Sequence, residues 1–209
     1  MLQAFPYVLL LAQLAVASPI LRVNAPSAVP FDTTMSVPSF SGVALNLEAG
    51  GRVRIIGSES KVVHVQVTDR GKHCEDCIVS VSELRNGIDV RTGRTRLFGT
   101  PADLDIQVDV PTQTNILLTS AGGQVEIEGI DGFVSGSTEF GAVHLFRLSG
   151  AVKVETKRGD VTLKQSYVRG SVHTNVGHVL LEDVGGDVQG TSSTARVVER
   201  RVQHVPTPP

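Results

Sequence analysis

The sequence predicts an all-β fold: a β-solenoid, or β-helix-like stack of short coils, with about 18 residues per coil. Three observations predict it. One six-letter phrase recurs at a fixed interval, the remaining segments alternate apolar and polar residues, and no stretch carries the apolar stripe of a helix. Composition agrees. The 209 residues include 21 Gly, no Trp and only 4% aromatic residues, which suits many short strands and turns better than a helical bundle.

The repeat decides the fold. GDVTLK begins at Gly159; GAVHLF and GQVEIE precede it and GHVLLE follows, with glycines at 123, 141, 159 and 177. Two places after each glycine stands Val125, Val143, Val161 or Val179, and four places after stands Ile127, Leu145, Leu163 or Leu181. A strand this short cannot bury its apolar face alone. Stacked copies place Val on Val and Ile on Leu, so that successive coils share one core. Each buried side chain then contributes roughly 1.5–3 kcal/mol before the entropy of ordering is subtracted. A second phrase lies half a period away: GFVSGST at 132, GAVKVET at 150, GSVHTN at 170 and GDVQGTS at 186. Aligned on its glycines, it predicts an inward column of Val134, Val152, Val172 and Val188, with residues gained near QSYV at 165–168 and lost before Gly177.

The elements before the repeat read in order. Tyr7 to Ala17 is mostly apolar, too short to span a bilayer as a helix, and ends on the small residues AVA before Ser18. Residues 1–17 are therefore expected to be a signal peptide, although Lys and Arg are missing from its start. Residues 18–41, rich in Pro, Ser and Thr, read as a linker. RVRII at 52–56, VVHVQV at 62–67, IVSVS at 78–82, GIDVR at 87–91 and LDIQVDV at 104–110 alternate with the period of a half-buried strand. EAGG, RNG and GTPAD mark turns between them. The solenoid domain is expected over 42–195, and a disordered tail over 196–209.

Chemistry is sparse. A net charge of -2 recommends no nucleic-acid partner, and no membrane span is expected once a leader is removed. Nucleophile elbow, phosphate loop, HExxH and dinucleotide fingerprints are missing, and no cofactor is expected. A calcium roll would need a glycine–aspartate nonapeptide in every coil, and Asp131, Asp160, Asp183 and Asp187 fall at unequal phases. HCEDC at 73–77 holds both cysteines. Cys74 and Cys77 are expected to close a small disulfide loop in an exported chain; half a metal site with His73 or His64, or free thiols, are the alternatives.

With Val and Ile/Leu inward, the outward columns of the first sheet are Glu126, His144, Thr162, Leu180 and Glu128, Phe146, Lys164, Glu182. Those of the second are Phe133, Ala151, Ser171, Asp187 and Ser135, Lys153, His173, Gln189. Phe133, Phe146 and Leu180 are apolar at outward positions and are the expected contact residues. Glu126, Glu128 and His144 are the one cluster on which a carbohydrate-active β-helix enzyme could be built.

LDIQVDVP, followed by strands that each begin just after Gly123, Gly132, Gly141, Gly150 and Gly159, resembles the DUF4097 group of adhesin-like β-strand-repeat proteins. GGRVRIIGSESKVVHVQV at 50–67 is similar to that group's opening strand pair. The resemblance implies an exported or envelope-associated β-solenoid with no established activity. HCEDC lies outside the matching pattern. The expected function is a non-enzymatic scaffold, periplasmic, cell-surface or secreted, that engages an envelope protein or a surface polysaccharide.

Overall fold

The computed structural model describes residues 27–37, 41–70, 76–94 and 103–204. Eighteen strands and no helix are found among these residues. In chain order they are β1 (Ser27–Ala28), β2 (Phe31–Ser36), β3 (Gly42–Leu47), β4 (Arg52–Ser58), β5 (Val62–Asp69) and β6 (Cys77–Leu84). Next come β7 (Gly87–Arg94), β8 (Leu104–Pro111), β9 (Asn115–Ser120), β10 (Val125–Glu128), β11 (Asp131–Phe140) and β12 (Val143–Phe146). The last are β13 (Ser149–Arg158), β14 (Val161–Val176), β15 (Val179–Gly186), β16 (Val188–Ser192), β17 (Val197–Arg200) and β18 (Gln203–His204). The fold is all-β.

Pairing sorts all the strands but β18, which pairs with the end of β15, into two ladders. The first runs β2-β5-β8-β4-β10-β12-β14-β15-β17. The second runs β1-β6-β7-β3-β9-β11-β13-β14-β16. The long β14 belongs to both, its N-terminal half in one and its C-terminal half in the other. From β4 onward the first ladder is parallel, and each strand pairs in register with the one eighteen residues later once the repeat begins: Val125 with Val143, Val143 with Val161, Val161 with Val179. Antiparallel pairs close the N-terminal end, β2 on β5 and β5 on β8 in the first ladder, β1 on β6 and β6 on β7 in the second.

Alternation explains why these segments are strands. Successive side chains point to opposite faces, so every second residue enters the interior. One interior row of the first ladder reads Val65, Val108, Ile55, Ile127, Leu145, Leu163 and Leu181, one residue per strand. All seven are buried, and both ladders contribute to one apolar core. Val143 and Val161 lie side by side in it at 1% and 0% exposure. The outward columns expected on this ladder, Glu126–His144–Thr162–Leu180 and Glu128–Phe146–Lys164–Glu182, are the observed registers.

The second ladder corrects the sequence reading. Val152 pairs with Gly170, not Val172; Val172 pairs with Val154 and Gly190. The interval stays at eighteen because β14 runs unbroken through QSYV, with nothing gained or lost. Gly170 misleads because it resembles a corner glycine. It sits within the strand at φ +125, where a Cβ would stand 2.0 Å from the Val152 carbonyl oxygen. The true corner equivalent of Gly150 is Val168. The outward columns shift accordingly to Phe133–Ala151–Arg169 and Ser135–Lys153–Ser171–Gln189.

Two more segments differ from expectation. The stretch 31–36, read as linker, is strand β2, whose Phe31, Thr33 and Met35 stand opposite Val67, Val65 and Val63. The stretch read as tail contains β17 and β18, and Val197 continues the Val179 column one winding further. The expected signal peptide over 1–17 lies outside the described residues, as does Cys74.

Candidate functional site

The interior is structural, so function rests on the outward faces, where the two ladders differ in character. That of the first ladder is laced with charge. Arg54 on β4 stands between Glu126 and Glu128 of β10, 3.8 Å from each, and Arg147 pairs with Glu128. The two carboxylates of the expected trio are thus held by guanidiniums, and His144, opposite Glu126 in the register, hydrogen-bonds to neither. Glu126 and Glu128 thus form part of a cross-strand ion-pair network of the kind that supports a sheet, and His144 lies outside it.

Further along this face the last windings are clamped together. Glu182 on β15 binds Lys164 at 2.8 Å, with Arg200 and Arg201 3.9 Å away, and Arg201 also pairs with Asp183. The Lys164 ammonium foremost holds the Glu182 carboxyl below its usual range, and Arg201 does the same for Asp183. Depressed carboxyls stabilise the fold above their ordinary pKa and lose that contribution as pH falls through their folded values. The clamp therefore loosens in acid.

At the opposite end of the same ladder, His64 of β5 joins three strands. Its Nε2 lies 2.8 Å from Asp32 of β2, and its Nδ1 lies 3.4 Å from Asp109 of β8. Gln66 donates to Asp32 at 3.3 Å, and Gln107 donates to Asp109 at 3.2 Å. Carboxylates only accept, so satisfying both requires the doubly protonated imidazolium. The hydrogen bond to Asp32 foremost, helped by Asp109 and opposed by burial, raises the His64 pKa above 6.5.

The face of the second ladder also carries ion pairs, Arg91 with Asp89 and Lys157 with Glu139, and adds exposed apolar side chains. Leu117 on β9 is 56% exposed and Phe133 on β11 is 44% exposed, among Ala44, Ser135, Ser137 and Thr119. The Phe133 amide donates to the Asn115 side chain at 2.9 Å, tying the two strands at this point. The structure does not bring the three expected contact residues together. Phe133 belongs to the second ladder, whereas Phe146 and Leu180 belong to the first. Phe146 is half-buried with the Arg147 guanidinium 4.9 Å over its ring, and Leu180 is half-buried beside Val198.

Sequence reasoning missed Leu117, although the alternation in NILLTS places it outward. The Asp32–His64–Asp109 junction was also missed, because nothing local announces that β5 pairs antiparallel with β8. A third omission is a buried hydroxyl column at eighteen-residue spacing, Ser120, Thr138, Thr156, Thr174 and Ser192. Four of its members donate to carbonyls at the corners: Ser120 to Gly122, Thr138 to Phe140, Thr174 to Gly159 and Ser192 to Gly177. Cys77 opens β6 and is buried.

No family model matches the chain, and no curated protein matches it. Among solved structures it is similar to a "putative cell adhesion protein" from Clostridium sporogenes, at 13% identity over 84% of this chain and 95% of that one, with a TM-score of 0.36. A "putative adhesin" from Bacteroides fragilis matches at 13% identity over 84% of this chain and 98% of that one, with a TM-score of 0.33. A "putative lipid binding protein" from Parabacteroides distasonis matches at 8% identity over 85% and 97%, with a TM-score of 0.25. At these identities and scores, the likenesses carry no functional inference.

Proposed function

We propose that the chain is a non-enzymatic β-solenoid scaffold, exported or envelope-associated, that presents a flat strand face to another molecule. One observation carries this reading: Leu117 and Phe133 stay in solvent above a core that is already complete beneath them. Exposed large apolar side chains on neighbouring strands add nothing to that core and suit contact with a partner. The sequence resemblance to the DUF4097 group and the apolar start of the chain support the same placement: periplasm, cell surface or secreted. An envelope protein or a surface polysaccharide is the partner class. Phe146 and Leu180 would contribute from the other ladder as a separate, weaker contact.

The test compares wild type with a Leu117→Ser/Phe133→Ser double variant for retention on immobilised envelope polysaccharides and envelope protein. Both changes lie outside the core, so Tm stays within a few degrees of wild type while retention is lost. Equal retention of both proteins on every surface would overturn the reading. Within the same proposal, Cys74 and Cys77 form a disulfide. The intact mass of unreduced protein is then two hydrogens lighter than after reduction, and identical masses would remove the bridge.

A further inference from the structure

The corner where the second ladder passes into the first holds a recess of about 570 Å³, a volume in the range of small-ligand pockets. Three arginines reach it from different strands. Arg52 opens β4, Arg94 closes β7 and Arg70 follows β5. They are not equivalent. Arg94 grips Asp76 with two hydrogen bonds, at 3.2 and 3.1 Å, and both side chains are largely shielded. Among the described residues, the side chains of Arg52 and Arg70 have no ion-pair partner. Asp105 stands opposite Arg52 in the ladder without pairing to it.

The rest of the lining narrows the chemistry. Glu48 and Asp103 are exposed carboxylates on the same recess. Phe140, 49% exposed, offers an aromatic face at the rim, with the Arg158 guanidinium 5.5 Å from its centroid. The floor is backbone from Gly50, Gly51, Gly122 and Gly123. It is packed so closely that a Cβ on Gly51 would lie 2.4 Å from the Leu104 carbonyl oxygen. A guanidinium fork suits a carboxylate, a carboxylate accepts from sugar hydroxyls, and an aromatic face suits the apolar side of a sugar ring. An inorganic anion would use the arginines but, having no hydroxyls to donate and no ring, would leave Glu48, Asp103 and Phe140 without a role.

We propose that this recess binds a uronic-acid unit of an acidic polysaccharide, with its carboxylate on Arg52 and Arg70, its hydroxyls on Glu48 and Asp103, and its ring against Phe140. The proposal rests on the scaffold reading and deepens it by naming a ligand class.

Calorimetric titration with trigalacturonate, and with a neutral galactose trisaccharide of the same length, tests it. Wild type binds the acidic sugar at least tenfold more tightly than the neutral one. Arg52→Ala/Arg70→Ala loses at least tenfold, Arg52→Lys/Arg70→Lys loses less, and Phe140→Ala weakens binding without changing its salt dependence. The lysine variant keeps the charge, which guards against a folding artefact in the alanine variant. Failure of wild type to bind trigalacturonate, equal binding of the neutral sugar, or an unaffected arginine variant would each overturn the assignment. So would displacement of the sugar by an equal concentration of inorganic sulfate, which would leave only a general anion site. The Leu117→Ser/Phe133→Ser variant keeps its affinity for trigalacturonate. If the recess fails while that variant still loses retention on envelope surfaces, the scaffold reading stands without the sugar.

Discussion

Gly141 stands where neighbouring backbones approach closely. Its φ is +108, and a Cβ there would lie 2.0 Å from the Gly123 carbonyl oxygen, one winding away. Alanine must break the corner or spread the coils, so Gly141→Ala should cost at least about 2 kcal/mol. Gly136 makes the matching control. It occupies the row between Leu118 and Val154 with an ordinary φ, and a Cβ would meet them at 3.8 and 3.7 Å, which is normal contact. Gly136→Ala should be neutral or stabilising by about 0.5 kcal/mol through the unfolded chain. Urea midpoints of the two variants check both signs. Equal losses would mean that corner geometry is not what holds these glycines in place. The repeated glycine was legible from spacing alone, but the difference between a corner glycine such as Gly141 and an in-strand glycine such as Gly170 was not. It depends on which carbonyl the neighbouring winding brings up, and that is a property of the stacked pair, not of the local string.

For the elements, β2 is the informative case. It is an outer strand of the first ladder, paired on one side to β5 and tied across β5 to β8 by His64 between Asp32 and Asp109. A histidine whose folded pKa is raised stabilises fully below its ordinary value of 6.5 and loses that contribution as pH rises through the folded value. Asp32 on β2 and Asp109 on β8 are the charged groups facing the ring, with Gln66 and Gln107 holding them in place. The Tm gap between wild type and His64→Asn should therefore be widest on the acid side of neutrality and narrow as pH rises. A gap that is flat or grows with pH would show that the ring does not bind as the imidazolium. In the sequence, β2 was hidden by its flanks: Pro30 and Pro38 give the segment a linker's composition while Phe31, Thr33 and Met35 carry a strand's alternation. β17 was hidden in the same way by Glu199, Arg200 and Arg201 after Val197 and Val198. The first ladder's columns were readable because period and alternation agree there. The second ladder's were not, because Gly170 drew the alignment two residues off register.

Over the whole molecule, the two ends are finished differently. Antiparallel strands cover the N-terminal end. The C-terminal strands continue the parallel ladders but break the apolar rows: Leu181 is followed by the exposed Glu199 and Val172 by Gly190. Open strand edges invite pairing with other chains, and a charged side chain on the edge strand is one way proteins blunt them. Glu199→Leu restores the apolar row at that end and should shift the chain toward end-to-end dimers, read by light scattering across a concentration series. A variant that stays at the wild-type mass at every concentration would show that Glu199 does not guard the edge.

The unvarying eighteen-residue step means that the seams of this molecule are interchangeable. Excising 143–160 would bring Val161 against Val125 and Leu163 against Ile127, keeping the apolar rows of the first ladder, while Val134 in the second would meet Gly170. The product would keep the parallel first ladder, shorter by one strand spacing of about 4.8 Å. Tandem duplication of such a unit lengthens that ladder by the same increment.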